Sequence, residues 1–162
     1  MTAKWLTQHQ QRAWRAYLLG STLLIERLDR DLRERHGLSL PEYEILVRLS
    51  EAPDRSLRMA EIADSVKNSR SRITHTVTRM QQVGLVERRQ CSTDGRGVWA
   101  RLTDAGYDRL VDAAPAHVAS VRASLIDVVS PEDLDAIHRA FTAVADELQT
   151  GEPDPTLSAQ PA

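Results

Sequence analysis

The residues with the clearest chemical potential in this chain are Ser69, Arg70, Ser71, Arg72, Thr74, His75 and Thr78. On a helix they share an exposed face, because Ile73, Val77 and Met80 recur at i, i+4 and i+7 and claim the other face. Arginine can pair bidentately with guanine, while serine and threonine hydroxyls contact phosphates or base edges. Short polar side chains also let a helix approach the floor of a major groove closely. A second group follows at Asp94-Gly95-Arg96-Gly97, which puts one arginine at a hairpin apex between two glycines. An arginine so placed can enter the narrow, electronegative minor groove, and Asp94 can hold its guanidinium in a fork. Lys67 and Arg88, together with Arg70, are candidate phosphate contacts beside these groups.

Other chemistries find little support. No Ser/His/Asp grouping, glycine-rich phosphate loop or paired carboxylates are visible, so the chain reads as no enzyme and no catalytic residue is assigned. The five histidines are scattered without HxxxH or HExxH spacing, and the one cysteine, Cys91, excludes both a CxxC cluster and an internal disulfide. No metal and no cofactor are expected.

Charge sharpens the reading. The whole chain carries −2, which by itself argues against a polyanionic partner. Between residues 55 and 101, however, stand ten Lys/Arg and only four Asp/Glu, a local +6 that leaves −8 for the remainder. A basic island in an acidic chain is the electrostatic footprint of a local nucleic-acid-binding module.

The elements that must position these residues are legible from periodicity. Trp14, Leu18, Ser21, Ile25, Leu28 and Leu32 recur at steps of three and four, predicting a long helix over about 7–35 that Gly37 ends. Ser39-Leu40-Pro41-Glu42 reads as a capping box with proline in the first turn, opening a second helix that stops before Pro53. Leu57 can add one short extended residue. A brief helix over 60–66, a turn at Lys67-Asn68 and a helix over 69–83 follow, the last capped by Asn68 or Ser69 and stopped by Gly84. The period then switches from 3.6 to 2, giving strands at 85–89 and 98–102 around a turn rich in glycine. Thr103 caps another helix, in which Pro115 predicts a kink, and Ser130-Pro131-Glu132-Asp133 starts the last one. Fold class is therefore mainly α with a small β-hairpin wing: a winged helix-turn-helix between N- and C-terminal helices.

Several motifs carry a family resemblance. Asp94-x-Arg96-x5-Leu102-Thr103, Gly84-Leu85-Val86-Glu87-Arg88, Ser69-Arg70-Ser71-Arg72-Ile73-Thr74 and the run from Leu38 to Leu46 resemble the MarR family (multiple antibiotic resistance regulators). The Cys-x-x-Asp-Gly-Arg-Gly wing is most similar to actinobacterial-type members. The resemblance spans about 5–148. It implies a homodimer held by an N-terminal dimerisation helix (1–37) and C-terminal dimerisation helices (104–149). Between them lies a DNA-binding lobe (38–103), and a disordered tail follows (150–162). It further implies binding to a pseudo-palindromic double-stranded operator, repression, and release by a small aromatic or anionic effector.

Trp14, Tyr17, His36 and Tyr43 are the candidates for lining an effector cleft, although aromatics at helical spacing are commonly core or interface. Cys91 sits near Arg88, Arg89 and Arg96, which would favour its thiolate, so a redox-responsive regulator is one alternative. A winged-helix module that binds protein and no DNA is another. No apolar run approaches the roughly 20 residues needed to span a bilayer, and a cytoplasmic location without membrane association is expected.

Overall fold

The computed structural model describes residues 4–66, 69–90 and 97–150. It resolves into two compact units, residues 1–121 and 122–162. The first holds five α-helices, a 3-10 turn (Pro53–Arg55) and a three-stranded sheet among the described residues: α1 (Gln8–His36), α2 (Leu40–Glu51), β1 (Ser56–Arg58), α3 (Met59–Ser65), α4 (Arg70–Gln82), β2 (Val86–Gln90), β3 (Val98–Leu102) and α5 (Asp104–Val121). The second holds a π-helical turn (Arg122–Ile126) and α6 (Pro131–Thr150). This is the expected mainly helical winged helix. No helix among the described residues is long and apolar enough to cross a membrane.

Local chemistry explains the boundaries. Thr7 caps α1 in a box with Gln10, and Gly37 closes the helix in the left-handed region (φ 65°), its N–H reaching the carbonyls of Leu32 and Arg33. Ser39 and Glu42 form the anticipated reciprocal box at the start of α2, with Pro41 in its first turn. The strand that pairs β3 with the N-terminal side runs over three residues rather than Leu57 alone: Ser56, Leu57 and Arg58 lie opposite Arg101, Ala100 and Trp99. On the other edge of β3, Val86 pairs with Leu102 and Gln90 with Val98, so the sheet order is β1-β3-β2. Leu85 stays outside β2 because its N–H is committed to the Met80 carbonyl at the end of α4. Pro115 does not interrupt α5, which runs unbroken to Val121.

The core of the first unit lies where α1, α2, α4, the sheet and α5 meet. Leu32, Leu38, Ile45, Leu46, Leu49, Ile62, Ile73, Val77, Met80 and Val86 are all essentially inaccessible. Thr103 and Gly106 lock the wing to α5. The Thr103 hydroxyl donates toward the Gly84 and Leu85 carbonyls (2.7 and 3.0 Å) and accepts from the Gly106 N–H (3.0 Å). A Cβ at position 106 would lie 2.1 Å from the Leu85 carbonyl oxygen, so only glycine permits this approach.

Candidate nucleic-acid interface

The helix α4 is built with two unlike faces. Ile73, Val77 and Met80 are buried and seat it on the core, while Ser69, Arg70, Ser71, Arg72, Thr74 and His75 are exposed and Thr78 is half-exposed. Ser69 is the N-cap: its hydroxyl accepts from the Arg72 N–H at 3.3 Å. Thr74 and Thr78 donate their hydroxyl protons to the carbonyls of Arg70 and Thr74 (2.8 and 2.7 Å). These back-bonds satisfy the donors locally and leave the oxygen lone pairs facing outward, ready to accept from an amino group.

Beside this row, guanidinium groups from three elements converge. Arg58 at the end of β1, Arg70 at the start of α4 and Arg88 in β2 line a cavity of about 340 Å³, together with Thr74, Gly97 and Val98. Two of them are held in different ways. Arg88 Nε donates to Gln81 Oε1 at 2.7 Å, and the Arg58 guanidinium lies 5.3 Å from the Trp99 ring centroid. Positive charge is thus concentrated in the corner between α4 and the hairpin, which is where a phosphate strand would pass a helix lying in a groove. Sequence reasoning counted Arg58 only within the basic island. Its alternation with Leu57 on a strand facing Trp99 is the signal that was available. Lys67, Asp94, Arg96 and Cys91 lie outside the described residues.

The other side of α4 is fastened by an ion pair that local patterns did not reveal. Glu42, with its side chain only 3% exposed, accepts from Arg79 Nε at 2.8 Å and Nη2 at 2.6 Å. It also accepts from the Ser39 N–H and hydroxyl (2.7 and 2.8 Å). Burial pushes the Glu42 carboxyl upward, but the bonds from Arg79 and Ser39 outweigh it and hold its pKa below the usual carboxylate value. Asp29 on α1 extends the network by accepting from the Leu40 N–H (2.8 Å) and from Arg33 Nε (2.6 Å). Glu42 therefore fastens α4 to α2 through Arg79, and the Asp29 charge on α1 favours the same guanidinium at longer range.

Comparison with known proteins decides the family. Residues 38–98 match the MarR family model. Sco3205 of Streptomyces coelicolor, a MarR family regulator solved in complex with DNA, is 41% identical, with 94% of this chain and 96% of that one covered and a TM-score of 0.90. AbsC, another MarR family regulator of Streptomyces coelicolor, is also 41% identical, covering 92% and 100% of the two chains with a TM-score of 0.86. The transcriptional regulator MhqR of Bacillus subtilis is 31% identical over 62% of this chain and 68% of its own length.

The chain belongs to the MarR family.

In this MarR-family chain the four residues expected to line a cleft do not come together. Trp14 and Tyr17 stack at 5.7 Å on the exposed N-terminal half of α1. His36 ends the same helix, about 33 Å from Trp14 at 1.5 Å per residue. There its Nδ1 lies 2.9 Å from Asp112 Oδ2, and its Nε2 is buried without a partner. Tyr43 instead packs on His117 of α5, ring centroids 4.3 Å apart, at a cavity of about 450 Å³. That cavity is lined by Ile25, Leu28, Val47 and Val66 with Glu44 and Arg48 at its polar side. Burial raises the Tyr43 hydroxyl and lowers the His117 imidazole, so both are neutral near pH 7. His117 was not singled out by sequence, although its Nδ1 is buried without a partner.

Proposed function

We propose that the protein is a homodimeric, sequence-specific transcriptional repressor that binds a pseudo-palindromic double-stranded operator and is released by a small aromatic or anionic effector. The observation that carries this reading is the division of α4: one face seated on the core, the other a row of hydroxyls, guanidiniums and His75 flanked by Arg58, Arg70 and Arg88. Ser71, Thr74, His75 and Thr78 would meet base edges in the major groove, and the three arginines the adjoining phosphates. Lys67 is assigned to a phosphate, and Arg96, steadied by Asp94, to the flanking minor groove. A 41% identical relative solved with DNA supports the same use of the fold.

Dimerisation is proposed through residues 1–37 and 104–149, flanking the DNA-binding lobe at 38–103. The N-terminal half of α1 leaves Trp14, Leu18, Leu19 and Leu23 exposed along it, a continuous apolar surface of the kind that a second copy covers. Two lobes so joined would engage half-sites about one helical turn apart. The effector cleft is assigned to the Tyr43–His117 cavity, whose apolar walls suit an aromatic body, with Arg48 at the polar side for its anionic group. A cytoplasmic location accompanies this function.

The test is a fluorescence-anisotropy titration against the operator upstream of the protein's own gene, repeated across a salt series. Specific binding with an affinity that falls steeply with salt is expected. Affinity for the operator equal to that for a scrambled duplex, with no salt dependence, would overturn the assignment. In light scattering, Leu18→Glu should convert a dimer into monomers that retain their helical content.

A further inference from the structure

We infer a second small-molecule site, separate from the Tyr43–His117 cleft, that takes a small organic anion between three guanidinium groups. It is the cavity of about 520 Å³ where the end of α1, the start of α2, the end of α4 and the side of α5 meet. Arg33, Arg79 and Arg109 come to it from three different helices, and Leu38, Val83 and Leu85 supply apolar wall. A concave space of this size with an apolar floor and convergent polar groups is the usual form of a ligand pocket.

Charge selects the ligand class. One carboxylate lines the cavity, that of Glu42, and its oxygens are already engaged by Ser39 and by two nitrogens of Arg79. Arg33 is ion-paired with Asp29 through its Nε and Arg79 with Glu42, which leaves Arg109 as the guanidinium of the three without a carboxylate among these contacts. Arg109 donates Nη1 to the His36 carbonyl at 2.8 Å, an uncharged acceptor that leaves the guanidinium's charge unneutralised by that bond. Each guanidinium has five N–H donors in a planar fork, so every one of the three keeps donors for a further acceptor. Gly37 also lines the cavity, and its φ of 65° disfavours any side chain there. A carboxylate on a small apolar body would satisfy both halves of this lining, its charge against Arg109 with a spare N–H of Arg33 donating to it, and its body against Leu38 and Leu85.

The site also has a route to α4. Arg79 is at once a wall of the cavity and the anchor of α4 on Glu42. An anion that draws on the Arg79 guanidinium competes with Glu42 for it and loosens the seat of the helix. That consequence for DNA rests on the function proposed above, whereas binding of the anion does not.

The experiment therefore reads binding without DNA. 4-Fluorobenzoate is titrated into the full chain and followed by ¹⁹F NMR line broadening. Wild-type protein should bind at millimolar or lower concentration. Arg109→Gln and Arg33→Gln, both at exposed side chains, should each weaken binding about tenfold, the loss of one charge-assisted hydrogen bond. His117→Ala in the other cleft should leave a full binding event in place. Arg109→Lys, which keeps the charge and loses the fork, should fall between. Thermal melts confirm that each variant is folded. Binding unchanged in both arginine variants and abolished by His117→Ala would overturn the site, as would no binding by the wild type. Operator titrations run in parallel separate failure of this site from failure of the DNA-binding assignment.

Discussion

The two faces of α4 share thirteen residues and almost nothing else. On one side Ile73, Val77 and Met80 sit at 1% exposure or less, and Arg79 is clasped by a buried carboxylate. On the other, Ser71, Thr74 and His75 are exposed, and the Thr74 hydroxyl bonds back to the Arg70 carbonyl of the helix itself. The helix is thus held chiefly from behind, with Arg88 reaching Gln81 on its flank. Its outer face is free to be chosen for recognition because the inner face and the Glu42 clamp carry the fold. Substitutions should accordingly sort by face: stability behind, affinity in front.

The largest effect should come from the core. Ile73→Ala removes a fully buried side chain and leaves a cavity, costing about 2–5 kcal/mol, measured by urea denaturation. Operator affinity of the fraction that remains folded should change far less than stability. Next comes the clamp. Glu42→Ala leaves the Ser39 N–H without its acceptor and costs about 1–3 kcal/mol, toward the lower end because Arg79 is half-exposed and can return to water.

The clamp also has a pH signature. The Glu42 pKa is held below its unfolded value near 4.5. Its contribution is thus fully present above pH 4.5 and is lost as pH falls through the folded value. Glu42→Gln keeps the capping geometry and loses the charge. Wild type should be the more stable of the two at neutral pH, and the denaturation midpoints should converge in acid. Parallel curves across that range would remove the ion pair from the account of how α4 is seated.

Much of this was open to sequence reasoning, for a reason visible in particular residues. Caps and periodicities are local: Ser39 with Glu42, Gly37, Gly84, and Ile73-Val77-Met80 all announce themselves within a turn or two of helix. The clamp is not local. Glu42 reads as a capping glutamate and Arg79 as one charge among ten, and only the packing of α2 against α4 reveals that one carboxylate does both jobs. The cleft residues show the opposite case. Trp14, Tyr17, His36 and Tyr43 were grouped by residue type, but a straight helix carries the first two far from the third, and Tyr43 finds His117 on α5 instead. Likewise one apolar stripe along α1 has two fates: Leu32 is 1% exposed and Leu18 is 43% exposed. Periodicity tells which residues want burial and is silent on which chain supplies it.

Smaller effects belong to the front. Arg70→Gln should weaken binding to all duplexes alike and lower the slope of log affinity against log salt by about 1. Ser71→Ala should weaken operator binding about threefold to tenfold, the range of one neutral hydrogen bond. Neither should move the melting temperature measurably. A fall in stability with either would mean that the outer face is tied to the fold in a way its geometry does not suggest.

The last substitution tests the boundary between the faces. Ser69 belongs to the exposed row, yet its hydroxyl already serves the Arg72 N–H at the first turn of α4. If that cap is its whole role, Ser69→Ala costs about 1 kcal/mol, and Ser69→Asp, also a capping side chain, restores it. Operator affinity should then follow stability in the alanine variant. The aspartate, though, would place a negative charge beside the arginines assigned to phosphates. Restored stability with affinity still lost would place Ser69 on the DNA side as well, while recovery of both would confine it to the cap. Hydrogen-exchange rates at the amides of residues 70–72 distinguish a frayed first turn from a lost contact, because only fraying raises them in the absence of DNA.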